Sequence, residues 1–317
     1  MGRNARPLYL VTGGAGFIGS NLVHALVARG EQVRVLDNLA TGRLDNLRPV
    51  RGAIEFVQGD IRSLETCQKA LHDVRFVLHQ AALPSVPRSF EDPISSTAVN
   101  IHGTLNLLIA ARDQRVERFV YASSSSVYGD MPTLPKVEAM TPDPRSPYAV
   151  SKLTGEHFCR VFAHAYGLPT VCLRYFNVYG PRQDPTSTYA AVIPRFITHC
   201  LRGTAATIFG DGTQSRDFTF VEDCVAANLM TCEAPISGGE VCNIGSGSRI
   251  SIAELDALIR RIARSGTSPA FEPPRPGDVK HSLADITRAK ALLGYSPRHD
   301  LESGLARTVE WFRSPVA

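Results

Sequence analysis

No run of roughly eighteen apolar residues occurs anywhere in the 317-residue chain, which excludes a membrane-spanning helix. The first ten residues include Arg3 and Arg6 but lead into a core strand, not a cleavable signal, so a cytoplasmic protein is expected. The seven cysteines, at 67, 159, 172, 200, 224, 232 and 242, contain no Cys-x-x-Cys pair and leave an odd count. That pattern argues against a disulfide framework and for reduced, mostly buried thiols. A structural zinc needs a tighter His/Cys grouping than His199-Cys200 offers, so no metal is expected. The formal charge of +4 is spread without a Lys/Arg run, which gives no nucleic-acid surface and no membrane patch, although single basic residues suit a phosphorylated substrate. Internal repeats and low-complexity stretches are also missing. What remains, 44% hydrophobic and 20% charged, is an ordinary globular composition for one large or two modest domains.

The chain does contain a short apolar strand, Leu8-Tyr-Leu-Val-Thr12, running straight into Gly13-Gly-Ala-Gly16-Phe-Ile-Gly19 and then an apolar helix through Arg29. Gly13 permits a tight turn, Gly16 lets backbone approach a pyrophosphate at the positive end of the helix, and Gly19 lets that helix lie close to the sheet. A second strand, Gln32-Val-Arg-Val-Leu-Asp37, ends in an acid about twenty residues beyond the glycines. An acid there binds the adenosine ribose hydroxyls and repels a 2′-phosphate, so the expected cofactor is NAD and not NADP.

Further strands read at Ile54–Gln58, Phe76–Gln80, Arg118–Ala122 and Thr170–Arg174, alternating with helices at Leu64–His72, 94–113 and 148–166. This is the pattern of an α/β, Rossmann-type doubly wound parallel sheet. Ligands bind such sheets at the carboxyl ends of the strands, where Asp37, Asp60, Ala81, Ser123 to Ser126 and Asn177 fall. Beyond residue 180 prolines interrupt the chain, and a smaller C-terminal α/β substrate lobe over 181–317 is expected, with helices near 190–202, 221–233, 251–263 and 301–313 and an ordered loop at Pro273-Pro-Arg-Pro-Gly277. Residues 1–180 would form the NAD-binding domain, to which some later strands could return.

Within Ser146-Pro-Tyr-Ala-Val-Ser-Lys152, the i, i+4 spacing puts Tyr148 and Lys152 on one helix face. An ammonium beside a phenol favours the phenolate and makes it a base nearer neutral pH. Taken alone, Tyr-x-x-x-Lys also arises by chance on amphipathic helices. Beside a dinucleotide fingerprint it points to redox chemistry at a hydroxyl.

With the glycine turn, Tyr148-x-x-x-Lys152 and the serine-rich strand end before Val127-Tyr128-Gly129, the chain resembles the extended short-chain dehydrogenase/reductases over nearly its whole length. More narrowly it is similar to the UDP-hexose 4-epimerases, through Asp37-Asn38, Gly59-Asp60-Ile61, Arg174-Tyr-Phe-Asn177, Arg216-Asp217 and Arg275-Pro-Gly-Asp278. The resemblance implies an isomerase with tightly bound NAD and a catalytic Ser124, Tyr148 and Lys152, the serine's register being uncertain within Ser123–Ser126. It implies NAD contacts from Gly13, Gly16, Phe17, Ile18, Gly19, Asp37, Asn38, Asp60, Ile61, Ala81, Ala82, Asn100, Tyr148, Lys152 and Tyr175. It implies UDP-sugar contacts from Ser85, Ser124, Tyr148, Asn177, Ala191, Val192, Arg216, Arg275, Asp278 and Ser282, the arginines being suited to diphosphate oxygens. A homodimer packed through helices 94–113 and 148–166 is implied as well.

Two departures narrow the reaction. Dehydratases and uronate decarboxylases of the family usually carry an acid just after the catalytic hydroxyl, whereas Ser125 and Ser126 stand here. The block Ala82-Leu-Pro-Ser85-Val-Pro-Arg-Ser89 differs from galactose-type epimerases, which tend to have a lysine near Pro84. With Arg182-Gln-Asp-Pro185 and Tyr189-Ala-Ala-Val-Ile-Pro194, it resembles bacterial epimerases of N-acetylated UDP-hexosamines. Ser282 aligns with a tyrosine that restricts the pocket to glucose and galactose; a small residue admits an acetamido group without requiring it. UDP-N-acetylglucosamine 4-epimerization is therefore expected, with UDP-glucuronate 4-epimerization as the alternative. A non-catalytic nucleotide sensor is disfavoured because all three catalytic residues are present.

Overall fold

The computed structural model describes residues 6–185, 191–274 and 280–314. Six strands in the first half, β1 (Leu8–Thr12), β2 (Gln32–Asp37), β3 (Glu55–Gln58), β4 (Phe76–His79), β5 (Arg118–Ser124) and β6 (Thr170–Tyr175), join a parallel sheet. Its order is Glu240–Ile244, β6, β5, β4, β1, β2, β3. The chain reverses direction across the sheet at β1 and β4, which is the crevice where such sheets bind ligands.

Both faces of the sheet are covered because successive side chains alternate sides and both sets are apolar. Tyr9 and Val11 of β1 meet Leu22, Val23 and Leu26 of α1 (Phe17–Ala28) and Cys224 and Leu229 of α8 (Val221–Glu233) on one face. Leu10, between them, joins the opposite core with Leu107 and Ala111 of α5 (Thr104–Asp113) and Cys159 and Phe162 of α6 (Pro147–Tyr166). α2 (Leu64–Ala70) lies on that second face too.

The segment expected as one helix over 94–113 is α4 (Pro93–Thr97), a widened π-type turn at Ala98–Gly103, and then α5. The Thr104 hydroxyl donates to the Asn100 carbonyl at 2.7 Å, and Asn100 turns its amide toward Leu83 and Ser151. Wide turns of this kind are used to re-aim a side chain. A further short helix, α3 (Val86–Glu91), precedes α4.

A third hydrophobic cluster packs α7 (Val192–Arg202), α9 (Ile252–Ala263) and α11 (Leu301–Arg313) through Ile197, Leu255, Ile259 and Leu305. Small strand pairs fringe it, including Thr207–Phe209 with Ala270–Glu272 and Ser215–Arg216 with Ile250–Ser251. α10 (Thr287–Leu293) instead packs on the main sheet through Ala289 and Leu293, beside Glu240–Ile244. Asp217 binds the late loops together. Its buried carboxylate accepts from the backbone N–H groups of Ser246, Gly247 and Ala284, while burial raises its pKa and these bonds oppose the rise. Among the described residues no helix is long and apolar enough to cross a membrane.

Candidate active site

β1 delivers the chain into a glycine turn built by close contacts. A Cβ on Gly19 would sit 2.1 Å from the Gly13 carbonyl oxygen, and one on Gly13, whose φ is 67°, would sit 2.7 Å from the Ala81 nitrogen. A larger residue at Gly19 would push α1 away from the turn, and one at Gly13 would drive the turn into the backbone that follows β4. Gly16 precedes α1 and no side chain caps it; Phe17 and Ile18 form the first turn, which lacks acidic residues. The positive end of the helix is therefore left to an anion.

The Asp37 carboxylate at the end of β2 accepts from the Ala15 N–H at 2.9 Å and the Leu39 N–H at 2.8 Å. Burial raises its pKa, and those two bonds pull it back. Asn38 donates to Asp60 at 2.9 Å, and hydrogen bonds from Arg62 hold the Asp60 carboxyl down at about 2. Ile61 packs against Gly103 of the widened turn. Tyr175 shares a hydrogen-bonded cluster with Gln80 and Asn228, and Ala82 lies between Ala81 and the Leu83 anchored by Asn100.

Ser123 and Ser124 face opposite ways. Ser123 points into the protein and donates to Glu156 of α6, which Arg174 also grips bidentately at 2.8 and 2.7 Å. Ser124, next along the extended strand, faces the other way; its hydroxyl accepts from the Ser126 N–H at 3.2 Å and lies near enough to Tyr148 to lower the phenol pKa. Tyr148 sits in the first turn of α6, whose N-cap Ser146 accepts from the Ala149 N–H at 3.1 Å. One turn on, Lys152 is 4% exposed and donates to the Ala122 carbonyl at 2.7 Å.

The expected lowering of the phenol by Lys152 is not the dominant effect in the protein alone. Burial raises the Tyr148 pKa and the nearby Ser124 hydroxyl offsets part of the rise, while burial depresses Lys152 to about 8. The ammonium lies 5.8 Å from the Tyr148 ring centre. Desolvation disfavours the charged form of each group, so burial works against both the phenolate and the ammonium.

His79, at the end of β4, lies behind this group. The Thr104 hydroxyl already donates to Asn100, so it accepts from His79 Nε2 at 2.9 Å, and Nδ1 accepts from Thr12 at 2.7 Å. Burial, then the Lys152 charge, lower the His79 pKa to about 3, and the ring is neutral.

A cavity of about 280 Å³ is lined by Asn177, Ala191, Val192 and Arg216, all expected to meet the UDP-sugar, and by Phe209 and Gln214, which were not. The Arg216 guanidinium donates to the Ser215 and Lys280 carbonyls at 3.0 Å each. Asn177, at φ 33°, donates to the Asp217 carbonyl and, at 3.4 Å, to the Ser282 hydroxyl, so the two residues face each other. Ser85 has φ 105° and its hydroxyl accepts from the Arg88 N–H, capping α3. Arg275 and Asp278, and most of the expected 273–277 loop, lie outside the described residues, as does Tyr189.

The family model described as the NAD dependent epimerase/dehydratase family matches residues 9–245. The chain belongs to that family. It is similar to the UDP-glucose 4-epimerase of Mycolicibacterium smegmatis, 41% identical over 309 residues, with 96% of this chain and 98% of that protein covered. Among solved structures it is similar to a UDP-N-acetylglucosamine 4-epimerase from Methanobrevibacter ruminantium in complex with UDP-N-acetylmuramic acid, at 39% identity, TM-score 0.92, and coverage of 97% and 98%. It is also similar to a UDP-glucuronic acid 4-epimerase from Bacillus cereus in complex with UDP-glucuronic acid and NAD, at 36% identity, TM-score 0.90, and coverage of 96% and 99%.

The cradle fits the dinucleotide of an NAD dependent epimerase/dehydratase. Gly13 to Gly19 leave backbone bare at the α1 N-terminus for a pyrophosphate, and the Asp37 carboxylate stands where a ribose diol would meet it. Neither His79 nor Phe209 stood out in the sequence. The first is an isolated histidine ending an apolar strand, and the second precedes a Gly-Asp-Gly turn that reads only as a loop.

Proposed function

We propose that this chain is an NAD-dependent UDP-hexose 4-epimerase that interconverts UDP-N-acetylglucosamine and UDP-N-acetylgalactosamine and also accepts UDP-glucose and UDP-galactose. The observation that carries the reading is the closeness of Ser124, at the end of β5, to Tyr148, with Lys152 one turn beyond on α6, in a sheet whose first strand runs into the glycine cradle. The 4-epimerase names of its relatives support the same chemistry.

Tyr148 takes the proton of the sugar 4-hydroxyl, Ser124 shares a hydrogen bond with it, and Lys152 favours the phenolate. Bound NAD supplies the acceptor and then the donor of the hydride at C4. Asn177 and Arg216, with Arg275, hold the diphosphate, and Phe209 offers an aromatic face to the uracil. Held by its nucleotide end, the 4-keto sugar turns over between oxidation and reduction, and C4 inverts. Residues 1–180 would chiefly serve the cofactor and 181–317 the UDP-sugar, in a cytoplasmic enzyme feeding polysaccharide synthesis.

The small Ser282 beside Asn177 favours acceptance of an N-acetyl group. A second reading, 4-epimerization of UDP-glucuronate, is favoured by the Ser126 hydroxyl, which is enclosed, forms no hydrogen bond and lies two residues from Ser124, where a carboxylate could take it. A homodimer is supported by exposed apolar residues on adjoining helices: Val150 and Val161 about three turns apart on α6, Ile94 on α4 at 81% exposure, and Phe90 on α3.

The test is proton NMR of the anomeric region while the purified protein, without added NAD, is incubated separately with UDP-N-acetylglucosamine, UDP-glucose and UDP-glucuronate. Fastest growth of the galacto anomer from the N-acetylated sugar supports the proposal. Conversion of UDP-glucuronate alone moves the assignment to the second reading, and no conversion of any of the three overturns the reaction.

A further inference from the structure

Lys152 has an aromatic ring on two sides. Its Nζ lies 5.1 Å from the centre of the Tyr121 ring and 5.8 Å from that of Tyr148. Its hydrogen bond goes to the carbonyl of Ala122, the residue after Tyr121. The Tyr121 side chain, 1% exposed, is wedged between β5 and α6, and its hydroxyl makes no hydrogen bond. The helix is notched to receive it, because a Cβ on Gly155 would sit 2.2 Å from that hydroxyl oxygen and 2.3 Å from the ring carbon bearing it. A buried, unpartnered hydroxyl is unfavourable, so the position of the ring is what this arrangement secures.

We infer that Tyr121 is a positioning residue for the reaction, its ring pairing with that of Tyr148 to hold the Lys152 ammonium where the phenol needs it. This rests on the assignment of Tyr148 and Lys152 proposed above. An electron-rich ring face attracts an ammonium and not an amine, and the attraction strengthens away from water. It therefore opposes the burial that depresses Lys152.

The other titratable groups around the lysine are accounted for. His79 on β4 packs on the Tyr121 ring at 5.7 Å and is neutral. Glu156 on α6 is matched by Arg174 on β6. Cys159 on α6 and Cys172 on β6 lie near Tyr121, and burial raises the Cys172 thiol. The ring faces of Tyr121 and Tyr148 are left as the close favourable surroundings of the charge beyond one carbonyl.

The experiment replaces Tyr121 by Phe and then by 4-fluoro-, 3,5-difluoro- and pentafluorophenylalanine, which withdraw charge from the ring face with little change of shape. The Lys152 titration is followed by ¹⁵N NMR of lysine-labelled protein, assigned with Lys152→Met, and the pH profile of turnover is recorded beside it. Tyr121→Phe keeps the parent midpoint. Along the fluorinated series the midpoint falls stepwise, by about one pH unit in all. The high-pH limb of kcat falls with it and KM stays fixed. A midpoint that does not move overturns the role of Tyr121, and the lysine titration reads this whether or not substrate turns over. Absence of turnover in the parent protein instead refutes the reaction assigned above.

Discussion

Replacing Lys152 by Met is expected to make the protein inactive and more stable. Burial moves the lysine from an ordinary 10.5 to about 8. At ~1.4 kcal/mol per pH unit, the charged side chain is about 3 kcal/mol less favourable folded than unfolded at pH 7. Methionine has a similar length and carries no charge, but it leaves the Ala122 carbonyl without its 2.7 Å donor, a loss of about 1 kcal/mol. The expected net gain is about 2 kcal/mol at pH 7, read as a higher urea midpoint at unchanged slope with dinucleotide removed from both proteins. The folded pKa lies below the unfolded one, so between pH 8 and 10.5 the unfolded chain binds more protons and the parent gains stability as pH rises. By pH 9.5 the parent recovers about 2 kcal/mol and the advantage of the variant closes. A variant less stable than the parent at pH 7, or an advantage constant with pH, would refute the argument that this lysine is held at the expense of stability.

Tyr148→Phe should lower kcat by about 10³-fold or more while the dissociation constant for UDP-sugar, measured by calorimetry, stays within a few-fold. Ser282→Tyr should cut turnover of UDP-N-acetylglucosamine by about 10²-fold and spare UDP-glucose, as a two-substrate kinetic comparison would show. His79, held near 3 against an ordinary 6.5, binds its proton in the unfolded chain first, so stability should fall by about 2 kcal/mol from pH 6.5 to pH 5. Urea titrations of His79→Gln should lack that component. Ile94→Glu with Val150→Glu should convert a dimer to a monomer in light scattering; an unchanged mass would remove those helices from the interface.

What the sequence disclosed was local. The turn from Val11 to Gly19 and the helix carrying Tyr148 and Lys152 are each set by residues within a few positions, and their caps and glycines signal them. Residues 240–244 went unread because Glu-Val-Cys-Asn-Ile has no periodicity of its own and becomes a strand only through pairing with β6. The helix over 94–113 was read correctly as helical, but its widened turn depends on Asn100 reaching Leu83 and Ser151, distant partners that no spacing predicts. Four adjacent serines are chemically alike, and only the Glu156–Arg174 pair across the sheet shows which one turns inward. The cavity wall at Phe209 and Gln214 is set by pairing within the second half, where Thr207–Phe209 joins Ala270–Glu272 and Gln214 donates to the Phe209 carbonyl at 2.7 Å.

The late arrival of Glu240–Ile244 in the sheet bears on how this gene can be cut and recombined. A fragment stopped near residue 180 would leave β6, buried along all six of its residues, as a bare edge open to neighbouring chains. A chimera that exchanges segments between relatives must therefore leave this strand and α10 with the main sheet, and transplant only the segments around them. On the ribosome, likewise, the sheet stays unfinished until about seventy residues past β6 have emerged, so release of a half-made chain exposes the edge most prone to aggregate.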